Sequence, residues 1–268
     1  MPIKTINAFA IIVFMLVSLV SGNLSLASEQ VTISKTSGPE TVAILELYTS
    51  EGCSNCPQAE RFLKQLGKKY VPGKNFIPLA FHVDYWDYKG WEDPFSAPQH
   101  GERQREIANR NNLRSLYTPQ FVLYGTDFPA YNNIPKALTI INDTKPVTTI
   151  NVNVGLNKQK LNTRINVKAN NDRSRFFSDV FIAITENRLS SRVTEGENEG
   201  LRLEHEYVVR KFLGPFPLNG KNQLDINRNI DVENNWKLKN LNLVVFAQDK
   251  IDGVTHQAVN VPLRSLGK

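Results

Sequence analysis

The sequence is poor in sulfur, because its 268 residues include only two cysteines and two methionines. The cysteines, Cys53 and Cys56, stand two residues apart, so a disulfide between them closes almost no loop. A disulfide stabilises a fold mainly by closing a long loop, and this pair would therefore be a poor brace. We interpret it as a centre for thiol–disulfide exchange, with an inert local disulfide as the alternative.

A second CxxC pair is also missing, and the four histidines are scattered along the chain. A structural zinc site requires four ligands, so the sequence predicts no metal site. Thiol exchange implies no bound organic cofactor either.

The sequence contains no long run of charge of one sign. Its 32 lysines and arginines exceed its 26 acidic residues by a formal charge of +6, and the surplus is spread thinly. This pattern indicates a mildly basic solvated surface and disfavours a nucleic-acid partner. A hydrophobic fraction of 41% is ordinary for a globular protein, and the length predicts two domains.

The first residues are typical of an export signal. Lys4 precedes the apolar stretch from Ala8 to Val20, and Ser25-Leu26-Ala27 offers small residues for cleavage. We therefore predict a signal peptide over residues 1–27 and a periplasmic or secreted protein. The apolar stretch is shorter than a membrane span of roughly 20 residues. No stable membrane insertion is therefore expected once the signal is cleaved. An uncleaved anchor is the alternative. Residues 28–40 are polar and predict a flexible leader.

Residues 41–146 alternate between apolar runs and amphipathic stretches. A buried strand is predicted from Thr41 to Tyr48, directly before the cysteines, and a helix from Pro57 to Lys69. Strand and helix signals then alternate over Phe76 to Val83, Pro98 to Asn112, Phe121 to Tyr124 and Ile134 to Ile141. This order predicts an α/β domain.

Beyond residue 146 the hydrophobic pattern changes to a period of two, first at residues 150–154 and again at 161–167. Shorter strand candidates follow, separated by turn-rich stretches, and no convincing helix is present. The pattern predicts an all-β antiparallel sandwich over residues 147–268.

The chemistry is predicted from the position of the thiols. A thiol at a helix N-terminus has a lowered pKa, so Cys53 is the expected nucleophile and Cys56 the resolving thiol.

Thr118-Pro119 precedes a strand in the second half of the domain, as the cis-proline loop of thioredoxin does, although an ordinary trans proline is the alternative. Glu46, on the strand before the thiols, is a candidate to carry their proton, to point to solvent, or to pair with an arginine or lysine.

Several segments resemble a secreted bacterial family catalogued as Domain of Unknown Function 1223. They are Leu45 to Pro57, His82 to Tyr88, Gly90-Trp91, Asp93-Pro94-Phe95, Arg103-Gln104, Tyr117 to Gln120, Gly196-Glu197-Asn198, His205 and Val208-Val209-Arg210. The resemblance implies a thioredoxin-like first domain and an extracytoplasmic location, and it leaves the reaction open. Two positions depart from the family pattern: Asn55 replaces a common serine, and Gln58 replaces a frequent proline.

An aromatic loop over residues 84–95 allows two interpretations. Its side chains could line a substrate groove, but packing of Trp86 and Trp91 under the CxxC turn is favoured. Farther along, Gly196 to Arg210 predicts a turn and a strand that contacts the first domain.

Together these features predict an exported thiol–disulfide oxidoreductase whose partners are protein thiols or disulfides and a redox partner. One alternative is a copper-binding protein that uses Cys53, Cys56 and a histidine such as His82, since thiolates suit Cu(I). Another is a protein-interaction module with a vestigial redox centre.

Overall fold

The computed structural model describes residues 31–267, so the predicted signal peptide lies outside the described residues. The strands are β1 (Thr32–Thr36), β2 (Ala43–Thr49), β3 (Phe76–His82), β4 (Gln120–Leu123), β5 (Thr126–Asp127), β6 (Thr148–Asn157), β7 (Lys160–Ala169), β8 (Ser178–Glu186), β9 (Leu189–Arg192), β10 (Arg202–His205), β11 (Val208–Pro217), β12 (Gln223–Asp231), β13 (Leu241–Asp249) and β14 (Thr255–Pro262). The α-helices are α1 (Cys56–Lys69), α2 (Pro98–Arg110), α3 (Ile134–Asn142) and α4 (Asp172–Phe177). The fold is mixed α/β. No helix in this part of the chain is long and apolar enough to span a bilayer.

The largest sheet has eight strands in the order β14-β13-β8-β11-β3-β2-β4-β5. Strand β3 is parallel to both β2 and β11, and the other neighbours are antiparallel. At the junction Val208 pairs with Ala80, whose N–H donates to the carbonyl of Tyr207 at 2.9 Å. The predicted boundary near residue 146 therefore falls between segments that share one continuous sheet.

A second sheet has the order β1-β6-β7-β12 and is antiparallel throughout. Its first strand corrects the predicted flexible leader, because residues 32–36 pair in register with residues 151–155 of β6. The pairing satisfies backbone hydrogen-bonding groups, and Ile33 packs against the core between the sheets. The sequence did not predict this edge strand because residues 28–40 are polar.

The two faces of the large sheet are covered differently. On β2, Leu45 and Leu47 share an apolar cluster with Leu63 of α1, whereas Ile44 and Tyr48 share another with Ile107 of α2. Alternation along a strand explains this division. On the downstream strands, one face joins the α2 cluster and the other packs against the four-stranded sheet.

Helix α1 begins at the second cysteine, Cys56. Pro57 lies in its first turn, where a missing N–H removes no helical hydrogen bond. Ala59, Leu63 and Leu66 recur at helical spacing and are buried, so the helix is fixed against the sheet by one apolar face. The CxxC turn is thereby held between the end of β2 and the start of α1.

Candidate redox site

Cys53 and Cys56 form a disulfide with their Cα atoms 5.4 Å apart. Cys53 is 2% exposed and Cys56 is fully buried, while Ser54 and Asn55 between them are exposed. The N–H of Cys56 donates to the carbonyl of Cys53 at 3.1 Å, and no side chain caps the start of α1. The N–H groups of the first turn therefore have no capping side chain as an acceptor.

A loop from the downstream half lies against the CxxC turn; we call residues 194–200 the cover loop. Its Asn198 side-chain amide donates to the carbonyls of Glu51 and Cys53, at 2.7 and 3.0 Å. The carboxylate of Glu197 accepts from the N–H of Ser54 and from Lys89, at 3.2 Å each. Residues far downstream in sequence therefore lie against the CxxC turn. The segment from Gly196 to Arg210 was predicted to contact the first domain, and these hydrogen bonds are such a contact.

The two tryptophans of the aromatic loop contact the same turn. Trp91 donates from its indole N–H to the Glu51 carboxylate at 2.8 Å. Trp86 lies so close to Gly52 that a Cβ atom there would come within 3.3 Å of the Trp86 Cβ, and its indole donates to Thr118 at 2.8 Å. The tryptophans thus pack against the turn, which was the favoured interpretation.

The Thr118-Pro119 bond is cis. Tyr48 pairs with Gln120 in the antiparallel register of β2 and β4, so Pro119 lies opposite the last residue of β2, where the CxxC turn begins. Gln104 of α2 holds this loop by donating to the carbonyl of Tyr117 and to the side chain of Gln120, at 2.9 and 2.8 Å. The structure therefore brings Thr118 and Pro119 to the same end of β2 as the cysteines.

Glu46 occupies the opposite face from α1 and pairs with an arginine, the third of the alternatives considered for it. Arg103 donates to both of its carboxylate oxygens, at 2.7 and 2.8 Å, and Tyr48 donates to it at 2.6 Å. Both partners of the ion pair are almost completely buried. These contacts give Glu46 a structural role in a buried ion pair, and the proton-carrying role stays an untested prediction.

A second buried polar cluster, which the sequence did not predict, lies beside the CxxC turn. His205 of β10 contacts two carboxylates, Glu60 through Nδ1 at 2.5 Å and Glu51 through Nε2 at 2.7 Å. Burial lowers the pKa of His205, but the charges and hydrogen bonds of Glu60 and Glu51 outweigh it and raise the pKa to about 10. Glu60 follows Cys56 by one helical turn, so the cluster is adjacent to the second thiol in sequence.

His82, the last residue of β3, completes the cluster. Its ring lies 5.0 Å from that of His205, and its Nδ1 is 2.7 Å from Asp93. Burial raises the pKa of Asp93, but His82 and two backbone N–H groups outweigh it and lower the pKa below its usual value. Within residues 31–267, the ligand group that includes His82 contains Glu60 and His205 and no cysteine. The copper site considered above needs free thiols and stays untested, because the two cysteines are bonded to each other.

The residues that sequence reasoning missed are Glu51, Glu60, Asp93, Asn198 and His205. Four of them, all but Glu60, lie within the segments that carried the family resemblance. That coincidence was an available signal, but the sequence alone could not show that segments 100 residues or more apart meet at one turn.

Residues 44–248 match the family described as Protein of unknown function (DUF1223). The chain belongs to this family. No curated protein sequence matches it.

Two solved structures resemble this member of the DUF1223 family. The crystal structure of protein AGR_C_4864 from Agrobacterium tumefaciens aligns with a TM-score of 0.57 and 20% identity, covering 84% of this chain and 96% of that one. The structure of HBP35 of Porphyromonas gingivalis aligns with a TM-score of 0.61 and 13% identity, covering 85% of this chain and 76% of that one. At these identities the likeness concerns the fold alone.

Proposed function

We propose that this protein is an exported thiol–disulfide oxidoreductase, with a thioredoxin-like α/β segment followed by a β-sandwich segment. The observation that carries the proposal is the position of the Cys53–Cys56 disulfide, at the end of β2 and the start of α1. A thiolate there is stabilised by the partial positive charge of the helix N-terminus. The signal predicted over residues 1–27 supports an extracytoplasmic site of action, where disulfides persist.

Cys53 is the nucleophile in this mechanism. Its thiolate attacks one sulfur of a substrate disulfide, forming a mixed disulfide and expelling the other substrate sulfur as a thiolate that takes a proton from water. Cys56 then gives its thiol proton to water, and its thiolate attacks the Cys53 sulfur, which restores the internal disulfide and releases the second substrate thiolate. Two electrons pass from the cysteine pair to the substrate, and the reverse sequence oxidises a substrate dithiol.

Access to the disulfide depends on the cover loop. Cys53 is only 2% exposed and the cover loop bonds its backbone carbonyl, so we expect a protein substrate to reach the sulfur only after the loop moves. Opening the loop breaks the hydrogen bonds of Asn198 and Glu197 with the turn and the ion pair of Glu197 with Lys89. The loop thus offers a way to limit exchange to partners that displace it.

The test is a trapping experiment with two matched variants. Cys56→Ser retains the nucleophile and lacks the resolving thiol, so it is expected to accumulate mixed disulfides in a periplasmic extract and with glutathione disulfide. Cys53→Ser is the control and should accumulate none, since it lacks the proposed nucleophile. Mass spectrometry locates the adduct, and a lack of any adduct at Cys53 in both mixtures would rule out the proposal.

A further inference from the structure

The buried cluster beside the CxxC turn contains three potential metal ligands. Glu60, His82 and His205 each offer one ligand atom, and these atoms lie within 4.8 Å of one another. They come from three elements, α1, β3 and β10, so the fold itself brings them together. Two imidazoles and one carboxylate form a ligand set that zinc uses in proteins.

One of the ligand atoms has no partner. His82 is fully buried, and no hydrogen-bond partner for its Nε2 occurs among residues 31–267. Its Nδ1 lies 2.7 Å from the acceptor Asp93, so the ring proton belongs on Nδ1 and Nε2 presents a lone pair. A buried polar atom without a partner is rare and calls for an explanation, and a bound cation supplies one.

The outer contacts match those of metal-binding histidines. Such a histidine generally uses its second ring nitrogen to bond a carboxylate or carbonyl, which fixes the ring for the metal. His82 does so with Asp93 at 2.7 Å, and His205 does so through Nε2 with Glu51 at 2.7 Å. That leaves Nε2 of His82 and Nδ1 of His205 as the ligand atoms, beside the Glu60 carboxylate.

The charges also fit a dication. The salt bridges of Glu51, Glu60 and Asp93 within the described chain involve histidines only, with no lysine or arginine. Three carboxylates therefore converge on two imidazoles in a buried site, where unpaired negative charge is strongly unfavourable. His205 bonds a carboxylate through each ring nitrogen and so holds a proton on both. A divalent ion that takes the place of the Nδ1 proton would add one net positive charge to the cluster.

We propose that Glu60, His82 and His205 form a binding site for a divalent transition-metal ion of the Zn²⁺ type. With zinc–nitrogen bonds of about 2.0–2.1 Å, binding requires side-chain shifts of roughly 1 Å from the present arrangement. Glu60 and His205 also line a surface cleft of about 210 Å³, which gives an ion a path to the site. The ion would tie α1 to β10 and so fix the CxxC turn relative to the downstream half.

The test uses Zn²⁺ and the full mature chain in its oxidised form, so that the cysteines are bonded to each other and do not bind the metal. Calorimetry and elemental analysis should find one zinc per chain. Glu60→Gln and His82→Gln should each weaken binding by at least about tenfold, and Asp93→Asn by about 10- to 100-fold through the outer contact. His256→Gln is the control, because it also alters a buried histidine but one that bonds Ser178, outside the cluster.

Failure of zinc to bind the wild-type chain, or unchanged binding by Glu60→Gln and His82→Gln, would overturn the proposal. If those variants do not fold, Co²⁺ spectra of the wild type decide it: d–d bands of a nitrogen–oxygen site are expected, and spectra of hydrated cobalt would contradict the site. The result is separate from the exchange activity, which is measured on the free thiols of other variants.

Discussion

The side-chain amide of Asn198 donates a 3.0 Å hydrogen bond to the backbone carbonyl of Cys53, across 145 positions of sequence. The same amide bonds the carbonyl of Glu51 at 2.7 Å, so one buried asparagine holds the cover loop to both sides of Gly52. This contact connects the downstream half of the chain to the CxxC turn. We therefore expect access to the cysteines to depend on a loop outside the segment that carries them.

Removing the Asn198 contact is expected to expose Cys53. In the reduced protein, Asn198→Ala should raise the rate of Cys53 alkylation by iodoacetamide about tenfold or more, because two hydrogen bonds of roughly 1 kcal/mol each no longer oppose loop opening. Glu199→Gln, at the exposed neighbouring position, is the matched control and should react like the wild type. Equal rates for all three proteins would show that the loop does not limit access.

Arg103 joins the two halves of the molecule on the other face of the sheet. Its guanidinium carbon lies 4.8 Å and 4.9 Å from the ring centroids of Phe181 and Phe212, while its nitrogens bond Glu46. Arg103→Met leaves the Glu46 carboxylate buried without its partner and should lower the free energy of unfolding by about 3–5 kcal/mol.

The double variant Arg103→Met/Glu46→Gln removes the buried charge as well, so urea unfolding should show it recovering much of the loss. If the single substitution changed the unfolding free energy by less than about 1 kcal/mol, the ion pair would not have the structural role assigned here.

Two glycine turns meet where the β4–β5 hairpin touches the β13–β14 hairpin. A Cβ atom on Gly125 would lie 2.1 Å from the carbonyl oxygen of Gly253, and Gly125 has a φ of +85°. Gly125→Ala should therefore reduce stability by about 2 kcal/mol or more, as measured by urea unfolding. Gly38→Ala, which meets no atom within 4 Å, should change stability little, and a similar loss in both variants would contradict this explanation.

His256 should make stability depend on pH. Burial lowers its pKa, although Asp249 and Asp252 oppose the effect and Arg173 adds to it. Below about pH 6.5 the unfolded chain therefore binds a proton that the native chain binds less readily, so stability falls as pH decreases. His256→Gln should flatten the stability curve between pH 6.5 and 5, and an unchanged slope would disprove the assignment.

Local elements were predictable because their signals are local. The apolar run before Cys53 and the helical spacing of Ala59, Leu63 and Leu66 predicted β2 and α1 to within two residues at each end. Helix α4 was not predicted, since its signal is a six-residue segment with a capping box from Asn171 to Ser174 inside a strand-rich region.

Long-range features were not predictable from the same signals. Pairing of Ala80 with Val208 joins the two halves into one sheet, but each strand by itself also fits a separate domain. Likewise, the spacing of residues predicts the disulfide but not the convergence of Glu51, Glu60 and His205, because tertiary contacts decide which distant side chains meet. The pairing of Glu46 with Arg103 was one of three alternatives that only the packing could distinguish.

The most direct test of the central claim is the reduction potential of the Cys53–Cys56 pair, measured by equilibrating the protein in thiol–disulfide buffers and quantifying free thiols. An exchange centre should have a potential between about −270 and −120 mV, the lower end indicating a reductase and the upper end an oxidase. A potential below about −300 mV would contradict the account, because it would identify the bond as a stable structural disulfide.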